Sequence, residues 1–390
     1  MSLIPFAIDP FLPAFPNLGE FYGVEAGTIQ ASFAGVTIGL AIGQLLSGPI
    51  SDAFGRRPML IIATFGYALS ALAIFFAPTI ESFMLLRFTM ALFAATGDVV
   101  ARAVVRDLFR GQPMLRMLSR IFLIQSLSPI IGPLVGSQIV QVGPWQYIAL
   151  AAGGFGLVTS ILALIFLKET LPVAQRRSQS VMGLMRGFRS VLRDRIYVGL
   201  VLVSGLLLSA LFGYLNTVSY LYQDHYGLSA AEFGLWFAGN SLALYLGVQF
   251  GGLISKYVKA QWMLVVALSV GALAGGYLMI TSGGNLLTAE IGFLVLIFAF
   301  GAPATALPTI ALLNHGSEAG TAASLMGSTG FIFTSVYALI YANLSVVATF
   351  DVGLLVALNF TAAVLIMLFV VRPWTIPDLR KPQELPEESH

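Results

Sequence analysis

Long apolar runs recur along the whole chain, each about the length that crosses a bilayer, with short polar stretches between them. Twelve are read, at about residues 1–17, 28–50, 58–77, 82–108, 117–141, 145–167, 196–222, 230–255, 261–281, 287–313, 320–344 and 348–371. Alternating apolar–polar segments of about ten residues, the mark of a membrane barrel, are absent. Helices remain, because in hydrocarbon each backbone N–H and C=O must be satisfied within its own segment. The expected fold class is all-α integral membrane, with twelve transmembrane helices as two six-helix bundles. The first run is short and carries Pro5, Pro10, Pro13 and Pro16. It is read as a helix truncated at its start, the alternative being a broken helix that lies shallow.

A second pattern supports two bundles. Gly43–Leu60 reads GQLLSGPISDAFGRRPML, and Gly247–Leu264, offset by 204 residues, reads GVQFGGLISKYVKAQWML. Gly43/Gly247, Gly48/Gly252, Ile50/Ile254, Ser51/Ser255, Met59/Met263 and Leu60/Leu264 coincide without a gap. Each copy sits at a short corner between two apolar runs, so the chain reads as one unit repeated. Parallel repeats of this kind place a substrate site between the halves near the bilayer midplane. The expected organisation is a first bundle at 1–168, a basic linker at 169–194, a second bundle at 195–372 and a tail at 373–390.

Charge then orients the chain. Arg56/Arg57, Arg110/Arg116/Arg120, the stretch from Lys168 to Arg195, Lys256/Lys259 and Arg372/Arg380/Lys381 fall on alternate connections. The opposite connections carry Glu20, Glu25, Glu81, Asp224, Glu232 and Asp351 and no Lys or Arg. The basic side is therefore expected in the cytoplasm, with both termini. The composition agrees: 57% of residues are hydrophobic and 10% charged, against about 25% charged in a soluble domain. The absence of cysteine excludes disulfides and thiol chemistry, and a net charge of +2 gives no argument for nucleic acid.

A charge inside a span costs about 2.5–3.5 kcal/mol, so each needs a reason. The fourth run holds most of them. Arg87 and Asp98 are eleven residues apart and lie within about 20° of one helix face, a stripe that Arg102 and Arg106 extend. At 1.5 Å per residue Arg87 is about 9 Å in from Glu81, and Asp9, on the first run, is about 10 Å from the same surface. An Asp9–Arg87 pair, direct or through water, is expected, and protonating Asp9 would release it; the plainer reading leaves Asp9 at headgroup level. Asp98 is either a proton or substrate site or half of a local i,i+4 pair with Arg102. Arg102, Arg106 and Asp107 are assigned to the basic end, as structural or gating groups. Gly132 and Gly136, with Pro133 between them, allow close helix approach, as do Gly35, Gly39 and Gly43.

The second half carries little charge in its spans, and Glu290 is read as interfacial. Gln125, Tyr214, Asn216, Tyr220, Asn240, Gln249 and Thr305 are the candidate cavity residues, with Asn314 a further polar position. Charge in one half and aromatic walls in the other suit a lipophilic or amphipathic solute. His225, His315 and His390 stand apart, so no metal site or catalytic triad is expected, and no GxxxxGK[ST] motif is present. A non-transporting sensor or an enzyme is disfavoured, since no nucleophile–base constellation occurs.

The same residues carry a family resemblance. Gly48-Pro-Ile-Ser-Asp52-Ala-Phe-Gly55-Arg56-Arg57 resembles the loop signature of major facilitator transporters, and Gly132-Pro133-Leu-Val-Gly136 resembles the fifth-helix motif of drug/proton antiporters. Ala7–Pro16, Arg102–Phe109 and Tyr226–Asn240 are similar to the Bcr/CflA subgroup of bacterial drug-resistance transporters. The resemblance implies the major facilitator fold and proton-coupled efflux of small compounds such as antibiotics across the bacterial inner membrane. It implies a monomer driven by the proton gradient, with no cofactor. It assigns proton coupling to Asp9 and Arg87, and an inner gate that holds the halves together to Asp52, Arg56 and Arg57. Met90-Ala91 stand where the family pattern has Gln-Gly. Import of a nutrient by proton symport or facilitated diffusion is the alternative on the same fold.

Overall fold

The computed structural model describes residues 3–176, 188–304, 306–313, 315, 319–344 and 348–378. Ten helices among the described residues are long and apolar enough to cross a membrane. The fifth helix, Gln112–Val142, and a first helix built in pieces complete the twelve expected spans. Apolar side chains such as Phe65, Leu69, Leu164, Ile165, Leu235 and Leu273 are exposed, as a lipid-facing surface requires. The linker residues Arg177 and Arg186, and Thr305, Asn314, Arg380, Lys381 and His390, lie outside the described residues.

The first helix is broken, and its prolines explain why. Leu3–Ile8 is α-helical, Asp9–Ala14 is 3-10 and Phe15–Tyr22 is α-helical again, ending on Gly23 at φ +63°. Proline supplies no N–H, so Pro10, Pro13 and Pro16 each leave an upstream carbonyl without its helical donor. The helix reaches Tyr22, five residues beyond the end expected from hydropathy alone. Elsewhere helix starts follow local chemistry: Thr79 and Ser229 form capping boxes with Ser82 and Glu232, and Asp194 and Asn285 cap the seventh and tenth helices. The seventh helix, Arg195–Tyr220, continues as a π-helix over Leu221–His225.

The duplication reappears as packing. In the first half, a Cβ added at Gly43 of the second helix (Ala26–Phe54) would stand 2.6 Å from Leu92 O of the fourth (Ile80–Leu108), and one at Gly39 would overlap Phe88 O. In the second half, Gly247 and Gly251 of the eighth helix (Ala230–Ile254) admit Phe298 O and Ala302 O of the tenth in the same way. Gly153 and Gly156 seat the sixth helix (Gln146–Phe166) on the third (Arg56–Ile74), as Gly271 and Gly275 of the ninth (Ala260–Ile280) accept the twelfth (Thr349–Leu365). Even the corner repeats: Ser51 Oγ donates to Gly48 O at 2.9 Å and Ser255 Oγ to Gly252 O at 2.8 Å. Gly48 itself has open space where a Cβ would stand, so the repeated glycine is not there for close approach.

The halves meet along two pairs of helices, the second with the eleventh (Ala319–Leu344) and the fifth with the eighth. Thr37 and Ser335 share a 2.7 Å hydrogen bond, Ser324 Oγ donates to Gln44 O at 3.0 Å, and Ser241 Oγ donates to Pro129 O at 3.0 Å. Because backbones touch at Gly43, Gly43→Val is expected to destabilise the fold by about 1–3 kcal/mol through overpacking. Gly276→Val, where the added Cβ meets open space, serves as the control. Thermal unfolding of the purified protein in detergent checks this; equal unfolding temperatures would contradict the packing described.

Candidate functional site

The centre of the first half is where the broken helix lies on the fifth. A Cβ at Gly132 would stand 2.6 Å from the Asp9 Cβ, and one at Gly136 would overlap Pro10 O. The Gly132-Pro133-Leu-Val-Gly136 segment is thus a seat for the 3-10 stretch that carries Asp9, which goes beyond the ordinary helix packing expected from spacing. Asp9 is 5% exposed, not at headgroup level, and its Oδ2 has no hydrogen-bond partner.

Arg87, 1% exposed, reaches the same segment from the fourth helix. Its Nη1 donates to Ala7 O at 2.6 Å, the carbonyl three residues before Pro10, and its Cζ lies 4.4 Å from the centre of the Phe11 ring. Nε and Nη2 are buried without partners, as is the Tyr67 hydroxyl. The expected Asp9–Arg87 ion pair is not formed in this structure. Arg87 is held by a carbonyl that proline leaves free, two residues from the carboxyl that depth alone made its partner. Asp9 Oδ2, Arg87 Nε and Nη2 and the Tyr67 hydroxyl are thus all buried and unmet.

Asp98 forms the local pair and one hydrogen bond beyond it. It pairs with Arg102 at 2.9 Å, the i,i+4 pair, and also accepts from Gln125 Nε2 of the fifth helix at 2.8 Å. Asp98 is buried while the Arg102 side chain is half exposed, so the pair runs from the interior to the basic side. Arg106 is exposed at the end of the same stripe.

The corner after the second helix turns on Gly55, at φ +103°, a conformation that excludes side chains. Arg56 is its hub: it meets Asp52 at 2.6 Å, Asp107 at 3.0 Å and Ser51 Oγ at 2.6 Å. Arg57 donates to Leu167 O and Leu164 O at the end of the sixth helix. Glu169, unassigned from sequence, accepts from the backbone N–H of Arg56 at 2.9 Å and of Arg57 at 3.4 Å. Partial burial pushes the Glu169 carboxyl up, and the N–H donors of Leu171, Arg56, Arg57 and Thr170 outweigh it, leaving it below the usual carboxylate range. Asp52, Ser51, Asp107 and the sixth-helix carbonyls belong to the first bundle, and Glu169 opens the linker. With the acidic end closed, the corner ties the second, third, fourth and sixth helices together; the resemblance has it holding the halves when the transporter faces outward.

The candidate cavity residues of the second half fall in three places. Asn216 Nδ2 donates to Gln30 O at 3.2 Å and Tyr220 Oη to Phe15 O at 3.3 Å, so both bridge the halves at the acidic end. Ser219 and Gln223 join them, donating to Leu12 O at 2.6 Å and to Pro13 O at 3.1 Å. Tyr214 packs against Phe237 and Phe293. Asn240 donates to the Tyr222 hydroxyl at 3.1 Å, and Gln249 is exposed on the eighth helix, one face away from the buried Gly247 and Gly251. Glu290 is not interfacial: it is 4% exposed and accepts from the Tyr222 hydroxyl and, at 3.4 Å, from Asn240 Nδ2. As the one charge within the tenth helix, it could have been singled out by insertion cost. His315, read as isolated, lies 3.2 Å from Asp194.

Residues 1–339 match the family model of the Major Facilitator Superfamily. The MFS-type transporter YdgK of Bacillus subtilis (strain 168) is 32% identical over 338 residues, covering 85% of this chain and 84% of that protein. The bicyclomycin resistance protein homolog of Haemophilus influenzae is 28% identical over 331 residues, covering 84% and 83%. Among solved structures, a D-xylose-proton symporter superposes with a TM-score of 0.74 at 14% identity, covering 98% of this chain and 97% of that one, a likeness of fold. The chain belongs to the major facilitator superfamily, a family of membrane transporters rather than enzymes, and is a multi-pass carrier of small molecules.

Proposed function

We propose that this transporter exports small lipophilic or amphipathic compounds, such as antibiotics, in exchange for protons. The observation that carries the reading is Asp9, a buried carboxyl with an unmet oxygen and no cation partner, on the same broken segment whose Ala7 O is held by the buried Arg87. A carboxylate is costly there and a neutral acid is not, so a proton bound by Asp9 changes which arrangement of the first helix is favoured. When Asp9 gives up its proton, the free N–H groups of Arg87 can exchange Ala7 O for the carboxylate and so move the first helix. Asp98, linked to Arg102 and Gln125, extends this path toward the basic side. No cofactor is required, since the proton gradient supplies the energy. The relative named a bicyclomycin resistance protein homolog supports the direction and the class of solute.

In this reading the basic side faces the cytoplasm of a bacterial cell, and the protein works as a monomer in the inner membrane. The bundles 1–168 and 195–372 rock against each other about the second–eleventh and fifth–eighth contacts. The hydrogen bonds from Ser219, Tyr220 and Gln223 to the first helix then form the closed outer gate. The corner at Asp52, Arg56 and Arg57 keeps the first bundle rigid at the cytoplasmic end while it moves.

Asp9→Asn is expected to reduce proton-driven efflux to background with expression unchanged. Efflux from proteoliposomes under an imposed pH gradient measures this, and undiminished efflux would sink the assignment. Net accumulation of solute by intact cells, in place of depletion, would move the reading to import. Asp52→Ala removes one of two carboxylates from Arg56, whose side chain is 10% exposed, a loss of about 1 kcal/mol, the upper end for pairs near a surface. It is expected to shift the balance of inward- and outward-facing states up to about fivefold at that magnitude, leaving substrate affinity in place. Distances between spin labels across the bundles would read the shift, and an unchanged balance would refute it.

A further inference from the structure

The second half contains a buried acid that the cycle above does not use. Glu290, 4% exposed, lies between the seventh and eighth helices and accepts from the hydroxyl of Tyr222 and from Asn240 Nδ2. Phe233 packs on Tyr222, and Phe293 packs on both Tyr222 and Tyr214. Two further polar atoms in this cluster are buried without partners, the Tyr214 hydroxyl and Asn240 Oδ1.

The groups that face Glu290 are neutral or acidic. The seventh helix offers Tyr214 and Tyr222, with Asp224 and His225 exposed at its end and Asp224 beside Glu20. The eighth offers Asn240, and its Glu232 is exposed and taken by Ser229. The ninth places Tyr277 against Gly292, two residues on from Glu290, and the Arg of the seventh, Arg195, starts that helix at its opposite end. No cation compensates Glu290 among the described residues. An ionised carboxyl here would lack a counter-charge and rest on two donated hydrogen bonds alone, whereas the neutral acid carries no charge to bury and brings an O–H for which Asn240 Oδ1, buried without a partner, is an acceptor.

Tyr222 also sits in the element that closes the acidic end. It belongs to the π-helical turn Leu221–His225, a widened turn of the kind found at functional sites. Ser219, Tyr220 and Gln223, on either side of it, hold Leu12 O, Phe15 O and Pro13 O of the first helix. The Glu290–Tyr222 hydrogen bond therefore fixes the turn on one side while its neighbours bridge the halves on the other.

We propose that Glu290 is a second proton-binding site, whose protonated form holds the acidic-end gate closed through Tyr222. Loss of the proton creates a carboxylate that needs water, and water reaches it when the seventh helix withdraws from the first. The ligand is the proton itself, bound in the half opposite Asp9. This inference rests on alternating access and not on the exported solute or on the role of Asp9.

The chain has no cysteine, so spin labels can be placed without background. The probe pair is Asn17→Cys with His225→Cys, both exposed at the acidic end. Their distance distribution is measured by double electron–electron resonance in nanodiscs between about pH 5 and pH 9, a window that spans carboxyl groups shifted by burial. With Glu290 intact, the long-distance population is expected to rise at least threefold toward high pH. Glu290→Gln should hold the short distance at every pH, Tyr222→Phe should weaken the response at least twofold, and Glu290→Asp should restore it. A Glu290→Gln protein that keeps the full pH response, or a parent that shows none, overturns the proposal. An Asp9→Asn protein that keeps the response supports it, and one that alone abolishes the response overturns it. Should transport fail with every solute tried while the gate still follows Glu290, the export reading falls and this one stands.

Discussion

Carbonyl groups freed by proline in the first helix organise what surrounds them. In hydrocarbon a C=O without a donor is costly and must find one elsewhere. Pro10 leaves Ala7 O to Arg87 and Pro16 leaves Pro13 O to Gln223, while Leu12 O accepts from both the Phe15 N–H and Ser219 Oγ. One segment is therefore bonded to the fourth helix within its own bundle and to the seventh helix across the interface. The 3-10 geometry also brings its backbone onto Gly132 and Gly136, where any side chain would push it off. A regular α-helix at this position would satisfy its own carbonyls and offer nothing to either neighbour.

The two halves share their packing but not their electrostatics. Glycine contacts between second and fourth helices recur between eighth and tenth, and the Ser51 bond to Gly48 O recurs at Ser255. Close approach depends on backbone shape, so it survives divergence of the side chains. The corner charges do not recur, because Lys256 and Ala260 replace Asp52 and Arg56. What remains of the first corner is internal to its bundle: Arg56, Arg57 and Glu169 join four helix ends around a glycine turn. Such a corner makes one half a rigid body and leaves the other free of that constraint.

Much of this was legible in the chain. Spans, repeat and charged stripe follow from length, offset and helical period, which are properties of the sequence itself. The partner of Arg87 was not legible, because depth along a helix locates a residue axially and says nothing about which lone pair it meets. The role of Pro10 could have been anticipated, since a missing N–H implies a free carbonyl three or four residues back. Glu290 was misjudged for a related reason: distance from a helix end stands for burial only when the neighbouring loops are short and straight. Here the seventh helix runs past it as a π-turn and covers it with Tyr222. Gln249 shows the converse, since polarity at depth does not say which face of the helix looks inward.

The closure of the acidic end is made of hydrogen bonds to backbone carbonyls, and this bears on how it opens. A buried hydrogen bond of this type contributes a net of about 0.5–1.5 kcal/mol, because water offers the same groups an alternative. Four such bonds, from Asn216, Ser219, Tyr220 and Gln223, hold the halves beside the ring contacts Phe15–Tyr220 and Phe33–Phe212. The helix pairs proposed to persist through rocking are by contrast packed on small residues and hydroxyls, as at Thr37/Ser335 and Gly234/Ser137. A hinge of close contacts and a gate of exchangeable carbonyl bonds can coexist in one interface because their energies respond differently to water. In the alternating-access reading, admitting water costs the hinge its dispersion contacts and offers the gate's carbonyls and hydroxyls replacement hydrogen bonds. The proline-rich segment is where the two meet, seated on the fifth helix through Gly136 and bonded to the seventh through Leu12 O.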